Sequence, residues 1–495
     1  MRWPRWIYRE KATGAGRRVY RVLGLPVWRT WDREAVKTIE ESPFFDARWY
    51  RAHAARPLGR MSAALHFLRF GAVDGVEPSA AFCSRWVGVY CGRVKHKCML
   101  LAYERNRDMF RGVDVSVPEF ERQHLSERDV ALARALNKGI LLVSHELSRT
   151  GAPVALIEMA TRLRALGYAP VVASPSHGAL EDECKARGIP SRVSYQFKVD
   201  ESCMTELERV RLSDYVKCFD LVVLSTIVAV EWIDRFSRTG VKVICWAHEG
   251  TYGFDCHPAG RKVGDYLRKC ARVYTGGEYP RAVMLDRCGR DLWVRSLVYG
   301  VADLHQSDGA SCSRPAKVDF VLAGTIDMRK GQAIALKAVE LLPAETQAGM
   351  TLTIIGRIAD RTVGQMVLKC SLPCVVHVEE MPLDRLLERI RRCEVLLCPS
   401  LDDPMPVVAT YALMFGKPVI ASDHTGTAAL LQDGVSGFVV KAGDSYSLAA
   451  AMRRCVERRD RLPEMGQAAR RVYQENFTVE AFDRNLKKVL ADVGL

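Results

Sequence analysis

Short apolar runs closed by polar or glycine-bearing segments recur from about residue 138 to residue 440. Gly139–Ser144, Tyr168–Ser174, Leu221–Ser225, Val241–Ala247 and Arg272–Thr275 lack the polar–apolar alternation of a half-exposed sheet. Their length and flanks predict buried parallel strands. Helical patterns fall between them. Leu156, Met159, Leu163 and Leu166 share one helical face, and Ala179–Arg187 predicts a second helix. Val301–Ala316 breaks the rhythm with Ser, Gly, Asp and Pro and reads as a linker. A second series follows, with strands over Val318–Ala323, Leu352–Ile355, Val375–Val378, Val395–Cys398, Pro418–Ser422 and Phe438–Val440. Pro463–Gln474 and Val479–Val493 predict closing helices.

Strand–helix alternation repeated in two series predicts an α/β protein of two doubly wound, Rossmann-like domains. A hinge between them places a cleft at the C-terminal strand edges, where such sheets bind ligands. Upstream, residues 32–137 are helical in character and rich in aromatics. Phe45-Asp46-Ala47-Arg48-Trp49 and Phe82-Cys83-Ser84-Arg85-Trp86 repeat Phe-x-x-Arg-Trp at an offset of 37. The expected organisation is a leader over 1–31, a helical repeat-like region over 32–137, and a first Rossmann-like domain over 138–300. A linker over 301–316, a second Rossmann-like domain over 317–480 and a C-terminal helix over 481–495 complete it.

The charge refines this picture at the leader. The 495 residues carry a net +14, and residues 1–30 hold eight Lys/Arg against Glu10 alone, half of the excess. Trp3, Trp6, Tyr8, Tyr20, Trp28 and Trp31 interleave with these cations. That combination suits a solvated basic leader or an anionic membrane surface. Nucleic acid is not expected as a partner, because no binding fold stands behind the segment. The sixteen cysteines have no paired-CxxC spacing and read as small core residues in a reducing compartment. No apolar stretch reaches a membrane span, so a cytoplasmic location is expected, peripheral at the inner face of the membrane if the leader docks there.

Four constellations fall at strand C-termini facing the expected cleft. Ser148-Arg149-Thr150-Gly151-Ala152-Pro153 leads into a helix whose N–H groups can receive phosphate, or is simply a βα turn. Trp246-Ala247-His248-Glu249-Gly250 places a His–Glu pair where it can act on a ligand hydroxyl; a satisfied loop histidine is the plain alternative. No ligand-spaced His or Cys accompanies it, so no metal site is expected. Gly324-Thr325-Ile326-Asp327-Met328-Arg329-Lys330-Gly331 sets adjacent cations between glycines at a helix start. They can neutralise a pyrophosphate, or form a solvated basic turn. In Pro399-Ser400-Leu401-Asp402-Asp403-Pro404 an acidic pair can take sugar hydroxyls. Thr425-Gly426-Thr427 then opens another helix with further donors.

Together, SHELSRTGAP, WAHEG, GTIDMRKGQ and PSLDDPMPVVATYALMFGKPVIASDHTGTAALLQDGVSGFVV resemble the family 4 glycosyltransferases of GT-B architecture. The likeness is greatest to bacterial enzymes that build O-antigens and other surface polysaccharides. It spans about residues 138–480. The upstream repeat, with His66-Phe67-Leu68 and Gly75-Val76-Glu77-Pro78, resembles the FDxxYY…PLxHYLxxGxxEGRxP unit that often precedes such domains. The resemblance implies transfer of a sugar from a nucleotide-sugar donor with retention, without a cofactor or obligatory metal, onto a glycan or lipid-linked acceptor. It implies that Gly151 lies against the donor phosphates and His248 by the transferred sugar. Arg329 and Lys330 would clamp the diphosphate and stabilise the leaving group. The family's two glutamates, eight positions apart, fall on Asp403 and Tyr411 here. Tyr411 removes a charged bidentate acceptor for the nucleotide ribose. An impaired pseudoenzyme or scaffold in a polysaccharide-assembly complex therefore stands as the alternative.

Overall fold

The computed structural model describes residues 9–13, 17–22, 25–31, 33–74, 76–90, 98–110, 114–199, 201, 204–305 and 316–495. The remainder of the leader, Gly75 of the repeat and 306–315 of the expected linker lie outside the described residues. The basic leader contains strands that its charge pattern did not predict. Strands β1 (Arg9–Thr13), β2 (Arg17–Val22) and β3 (Leu25–Trp31) pair antiparallel in that order. Val19, Tyr20, Val22, Val27, Trp28 and Thr30 are strand-favouring types whose signal the cations mask.

One compact unit comprises Met1–Val130 with Val193–Asp214. Within it each Phe-x-x-Arg-Trp copy opens a helix, over Ala47–His53 and Ser84–Tyr90. Asp46 caps the first, accepting the Arg48 and Trp49 N–H groups at 2.9 Å each. The equivalent Cys83 accepts the Trp86 N–H on Sγ at 3.3 Å, a weaker cap in the degenerate copy. Tyr50 is fully buried, with Oη 2.8 Å from His66 Nδ1. A Cβ at Gly71 would lie 2.2 Å from that Oη, so glycine is required beside the ring. Burial, aided by Asp74, pushes the Tyr50 phenol up to about 12. A buried carboxylate, Glu208, ties the 193–214 segment to the second copy. It accepts from Arg85 (2.5 Å), His124 (2.9 Å), Tyr195 (2.5 Å) and the Thr205 N–H (2.7 Å).

The other unit, Ala131–Arg192 with Tyr215–Leu495, holds both parallel sheets. In the first lobe they are β4 (Gly139–Val143), β5 (Ala169–Ser174), β6 (Ser191–Val193), β7 (Leu221–Ser225), β8 (Lys242–Ala247), β9 (Arg272–Thr275) and β10 (Val294–Ser296). Their order is β10-β9-β8-β7-β4-β5-β6. The second lobe has β11 (Val318–Ala323), β12 (Met350–Ile355), β13 (Val375–Val378), β14 (Val395–Cys398), β15 (Val419–Ser422) and β16 (Gly437–Val440), ordered β13-β12-β11-β14-β15-β16. Every pair in this second sheet is parallel. In each lobe the order reverses beside the first strand, which opens a crevice at the C-terminal edge. Strands β4 and β14 are buried throughout, as continuous apolar runs require.

The last helix, Val479–Asp492, returns to the first lobe. Asp483 takes both guanidinium arms of Arg162 at 2.8 and 2.6 Å, and Tyr274 donates to Asp492 at 2.9 Å. The terminal segment thus binds the two lobes into one unit. Among the described residues no helix is long and apolar enough to cross a membrane.

Candidate active site

The turn after β11 is shaped by backbone demands. Asp327 Oδ1 accepts the N–H groups of Arg329 (2.8 Å) and Lys330 (3.0 Å), folding the basic pair into a tight loop. Gly331 then caps the helix Gln332–Glu340 with φ 82°, where a Cβ would meet the Pro399 carbonyl at 2.2 Å. Only glycine allows this turn to lie on the loop after β14. That contact brings Lys330 to Asp403: Nζ lies 2.7 Å from Oδ2. Burial alone would lower the Lys330 pKa, but the Asp403 charge outweighs it and holds the ammonium above its ordinary value. Arg329 stays half-exposed, 3.2 Å from Asp327, with its guanidinium 5.2 Å from the Tyr252 ring across the cleft.

Asp403 is also fixed through its backbone. Its N–H donates to the His424 carbonyl at 3.1 Å, and its carbonyl accepts from Gly426 at 3.2 Å. The 425–427 segment is therefore strapped to the acidic loop, with a Cβ at Gly426 only 1.9 Å from the Pro404 carbonyl. This corrects the expected helix opening: only a single 3-10 turn, Ala428–Leu430, follows. The hydroxyls are committed as well, Thr425 to the Ser422 carbonyl (2.8 Å) and Thr427 to Met405 Sδ (3.7 Å). The N–H groups of Thr425 and Gly426 are bonded too, to the Ser422 and Asp403 carbonyls, so the segment does not present the expected row of donors.

His248 follows β8, its ring 4.4 Å from that of Trp246. Its Nε2 is buried without a hydrogen-bond partner among the described residues. Burial, with His145 adding repulsion, pushes its pKa down to about 3, so the imidazole is neutral at physiological pH. The expected His–Glu pair separates. Glu249 turns back into its own lobe, accepting from Thr226 Oγ1, from the Ile227 N–H (3.1 Å) and from the His248 N–H (2.9 Å). It holds Thr226 at φ 78°, a strained backbone at the end of β7, and burial raises its own pKa. Glu249 is thus a brace for the loop that carries His248.

Gly151 is the first residue of the helix Gly151–Ala165, with open space where a Cβ would project. Glu146 accepts the Ser148 and Thr150 hydroxyls at 2.5 and 3.2 Å, so Thr150 leaves the helix N–H groups uncapped. Tyr411 lies half-buried on the helix Val407–Met414, near Tyr299, and burial raises its phenol. The structure brings Arg329, Lys330, Asp403 and Gly426 together. Gly151, His248 and Tyr411 stand on separate elements.

Asp402, expected with Asp403 to take sugar hydroxyls, is instead spent on the first lobe, and the groups it meets there escape a reading of the sequence. Asp402 reaches across the cleft and accepts from the N–H groups of Thr251 (3.1 Å) and Tyr252 (2.8 Å) and from Tyr279 Oη (2.7 Å). Tyr279 stacks on His424 from the opposite lobe at 5.1 Å. His145, whose Nδ1 is buried without a partner, accompanies His248 at the first lobe's edge, and burial lowers its pKa.

Residues 312–472 match the family glycosyl transferases group 1, and residues 136–263 match glycosyl-transferase family 4. The chain carries glycosyltransferase domains of group 1 and family 4. The family 4 match lies within the first lobe and ends before β9, and the group 1 match begins just before β11 and lies on the second lobe. The amylovoran biosynthesis glycosyltransferase AmsK of Erwinia amylovora is 27% identical over 177 residues, 33% of this chain and 42% of that protein. The D-inositol 3-phosphate glycosyltransferase of Rhodococcus erythropolis is 25% identical over 277 residues, 51% of this chain and 62% of that protein. The chain thus matches less than two thirds of the length of either relative. Anabaena HepE, solved in complex with UDP and glucose, superposes with a TM-score of 0.61 and 18% identity, over 72% of this chain and 100% of that one. At that identity the likeness speaks for the fold, which is GT-B.

Proposed function

We propose that this glycosyltransferase chain moves a sugar, with retention of configuration, from a nucleotide-sugar to a glycan or lipid-linked acceptor in bacterial polysaccharide assembly. The observation that carries the proposal is the Lys330–Asp403 pair at 2.7 Å, beside Arg329, at the crevice of the second sheet. Two cations on a glycine-flanked turn suit a diphosphate, and they stabilise charge that grows as the nucleoside diphosphate leaves. Asp403 keeps Lys330 aimed and offers its remaining oxygen to a sugar hydroxyl. Neutral His248, with an unspent buried nitrogen, supplies a hydrogen bond to the transferred sugar from the first lobe. The uncapped N–H groups at Gly151 add a second phosphate contact. The solved complex of HepE with UDP and glucose supports a nucleotide-sugar donor, and AmsK's amylovoran pathway supports a polysaccharide setting.

The experiment is a donor screen with purified protein, reading release of nucleoside diphosphate. Arg329→Ala and Lys330→Ala should each lower turnover by about two orders of magnitude, as loss of one transition-state donor does. A second reading, a binding-only scaffold, is favoured by Tyr411, which puts a phenol where the resemblance expects a carboxylate. No turnover with any donor, from wild type or Tyr411→Glu, would select it. Association of the basic leader with an anionic inner membrane surface belongs to the same proposal. Vesicle binding that falls with salt and weakens on deleting residues 1–31 would support it.

A further inference from the structure

The second lobe carries a cavity that the cleft does not use. It encloses about 190 Å³ between the 434–438 turn, the helix Ser445–Glu457 and the helix Leu462–Asn476. Phe438, Leu462 and Met465, all nearly buried, give it an apolar floor. Four arginines line it: Arg454, Arg458, Arg461 and Arg471. Among the described residues that line it, Glu464 is the one carboxylate, and Arg461 takes it at 3.0 Å.

Three of the four guanidinium groups thus converge without a carboxylate partner among the described residues. Arg454 lies over the Phe438 ring at 4.6 Å, which fixes its plane while leaving its N–H groups unspent. Arg458 is the residue that ends the same helix, just past Glu457, and brings a second cation to the same lining. Arg471 arrives from the next helix. Gly434, at φ 73°, leaves the mouth open; a Cβ there would stand 3.5 Å from Arg454 Nη2. Val435 is 43% exposed at the rim, so apolar surface adjoins the cations.

We propose that this cavity binds a phosphate-bearing group with a short apolar stem, independently of the donor cleft. Guanidinium forks match phosphate oxygens bidentately, and an anion between Arg454, Arg458 and Arg471 relieves their mutual repulsion. The volume lies below the roughly 300–1,000 Å³ of ordinary small-molecule sites, so it takes a headgroup-sized ligand and not a second nucleotide-sugar. That chemistry reaches the site either as a soluble phosphoester or as the headgroup of an anionic lipid.

The test uses the full chain, with glycerol 3-phosphate in calorimetry and with phosphatidylglycerol-containing vesicles in sedimentation, against phosphatidylcholine vesicles. Arg458→Gln/Arg471→Gln removes two unpartnered, exposed cations and leaves Arg454 on its ring. Arg453→Gln, which faces Glu457 outside the cavity, controls for bulk charge. Arg329→Ala/Lys330→Ala controls for phosphate binding in the cleft. Wild type should bind at least one probe, and the 458/471 variant should bind it about tenfold or more weakly, as loss of charge-assisted bonds requires. Arg453→Gln should stay within about threefold of wild type in the same measurement, since it removes no charge-assisted bond of the cavity, and the 458/471 substitutions should weaken binding by the same factor in the Arg329→Ala/Lys330→Ala background. Binding of glycerol 3-phosphate identifies the soluble source; binding of vesicles alone identifies the lipid. Failure of both probes to bind wild type, or equal binding by the 458/471 variant, overturns the proposal.

Discussion

The carboxylate of Asp402, from the second lobe, accepts the backbone N–H of Tyr252, from the first, at 2.8 Å. With Thr251 and Tyr279 as its other donors, this buried side chain is a bolt across the cleft. Hydrogen bonds to a charged group contribute roughly 1.5–3 kcal/mol each, so removing three shifts lobe closure by more than about tenfold. Asp402→Ala should enlarge the radius of gyration in small-angle scattering and raise the donor KM more than it lowers kcat. Gly250→Ala should act likewise, because its Cβ would lie 1.8 Å from Asp402 Oδ1. Scattering and KM unchanged in both variants would show that the bolt is idle.

Lys330→Met leaves Asp403, 8% exposed, without its partner. Breaking a buried pair costs about 3–5 kcal/mol, and the lysine's partial exposure places this one near the lower end. The melting temperature should fall, and Asp403→Asn in the same chain should recover part of the loss. Activity should not recover, since the proposed function gives both groups a role at the donor. Thermal melts that add without recovery would deny the coupling.

His248 has a sign that can be checked. Its folded pKa, about 3, lies below the unfolded value near 6.5, so between those limits the unfolded chain binds the proton and the native one does not. Its contribution to stability is complete above about pH 6.5 and declines as pH falls towards 3. NMR of the imidazole should show no titration between pH 5 and 8, and kcat/KM should carry no acid limb from this residue there. A midpoint near 6.5 would place the ring in water.

Tyr411 is the measurable departure from the glycosyltransferase pattern. If position 411 meets the nucleotide ribose, as the resemblance implies, Tyr411→Glu should lower the donor KM by about tenfold or more by supplying a charge-assisted bond. Tyr411→Phe should raise it only a few-fold, the value of one neutral hydrogen bond at about 0.5–1.5 kcal/mol. The reverse order would remove this residue from the donor site.

The lobes were legible because buried parallel strands are apolar on both faces, as in Gly139–Val143 and Val395–Cys398. The strands Ser191–Val193 and Val294–Ser296 were not, since three-residue edge strands carrying arginine have no such run. The basic turn at 329–330 could be placed, because strand, glycine and helix start are local. The Asp402 bolt could not, because its partners lie 123 to 151 positions away in the chain. Hydroxyl accounting was equally hidden: Thr425 and Thr427 look like donors until Ser422 and Met405 are seen to occupy them.

The most direct test of the central claim is turnover itself. Purified full-length protein is presented with a panel of nucleotide-sugars and a lipid-linked glycan acceptor, and released nucleoside diphosphate is followed alongside the anomeric configuration of the product by NMR. The account predicts release with at least one donor, a product that keeps the donor's configuration, and loss of both in Arg329→Ala/Lys330→Ala. An inverted product, or turnover indifferent to that double substitution, would contradict it.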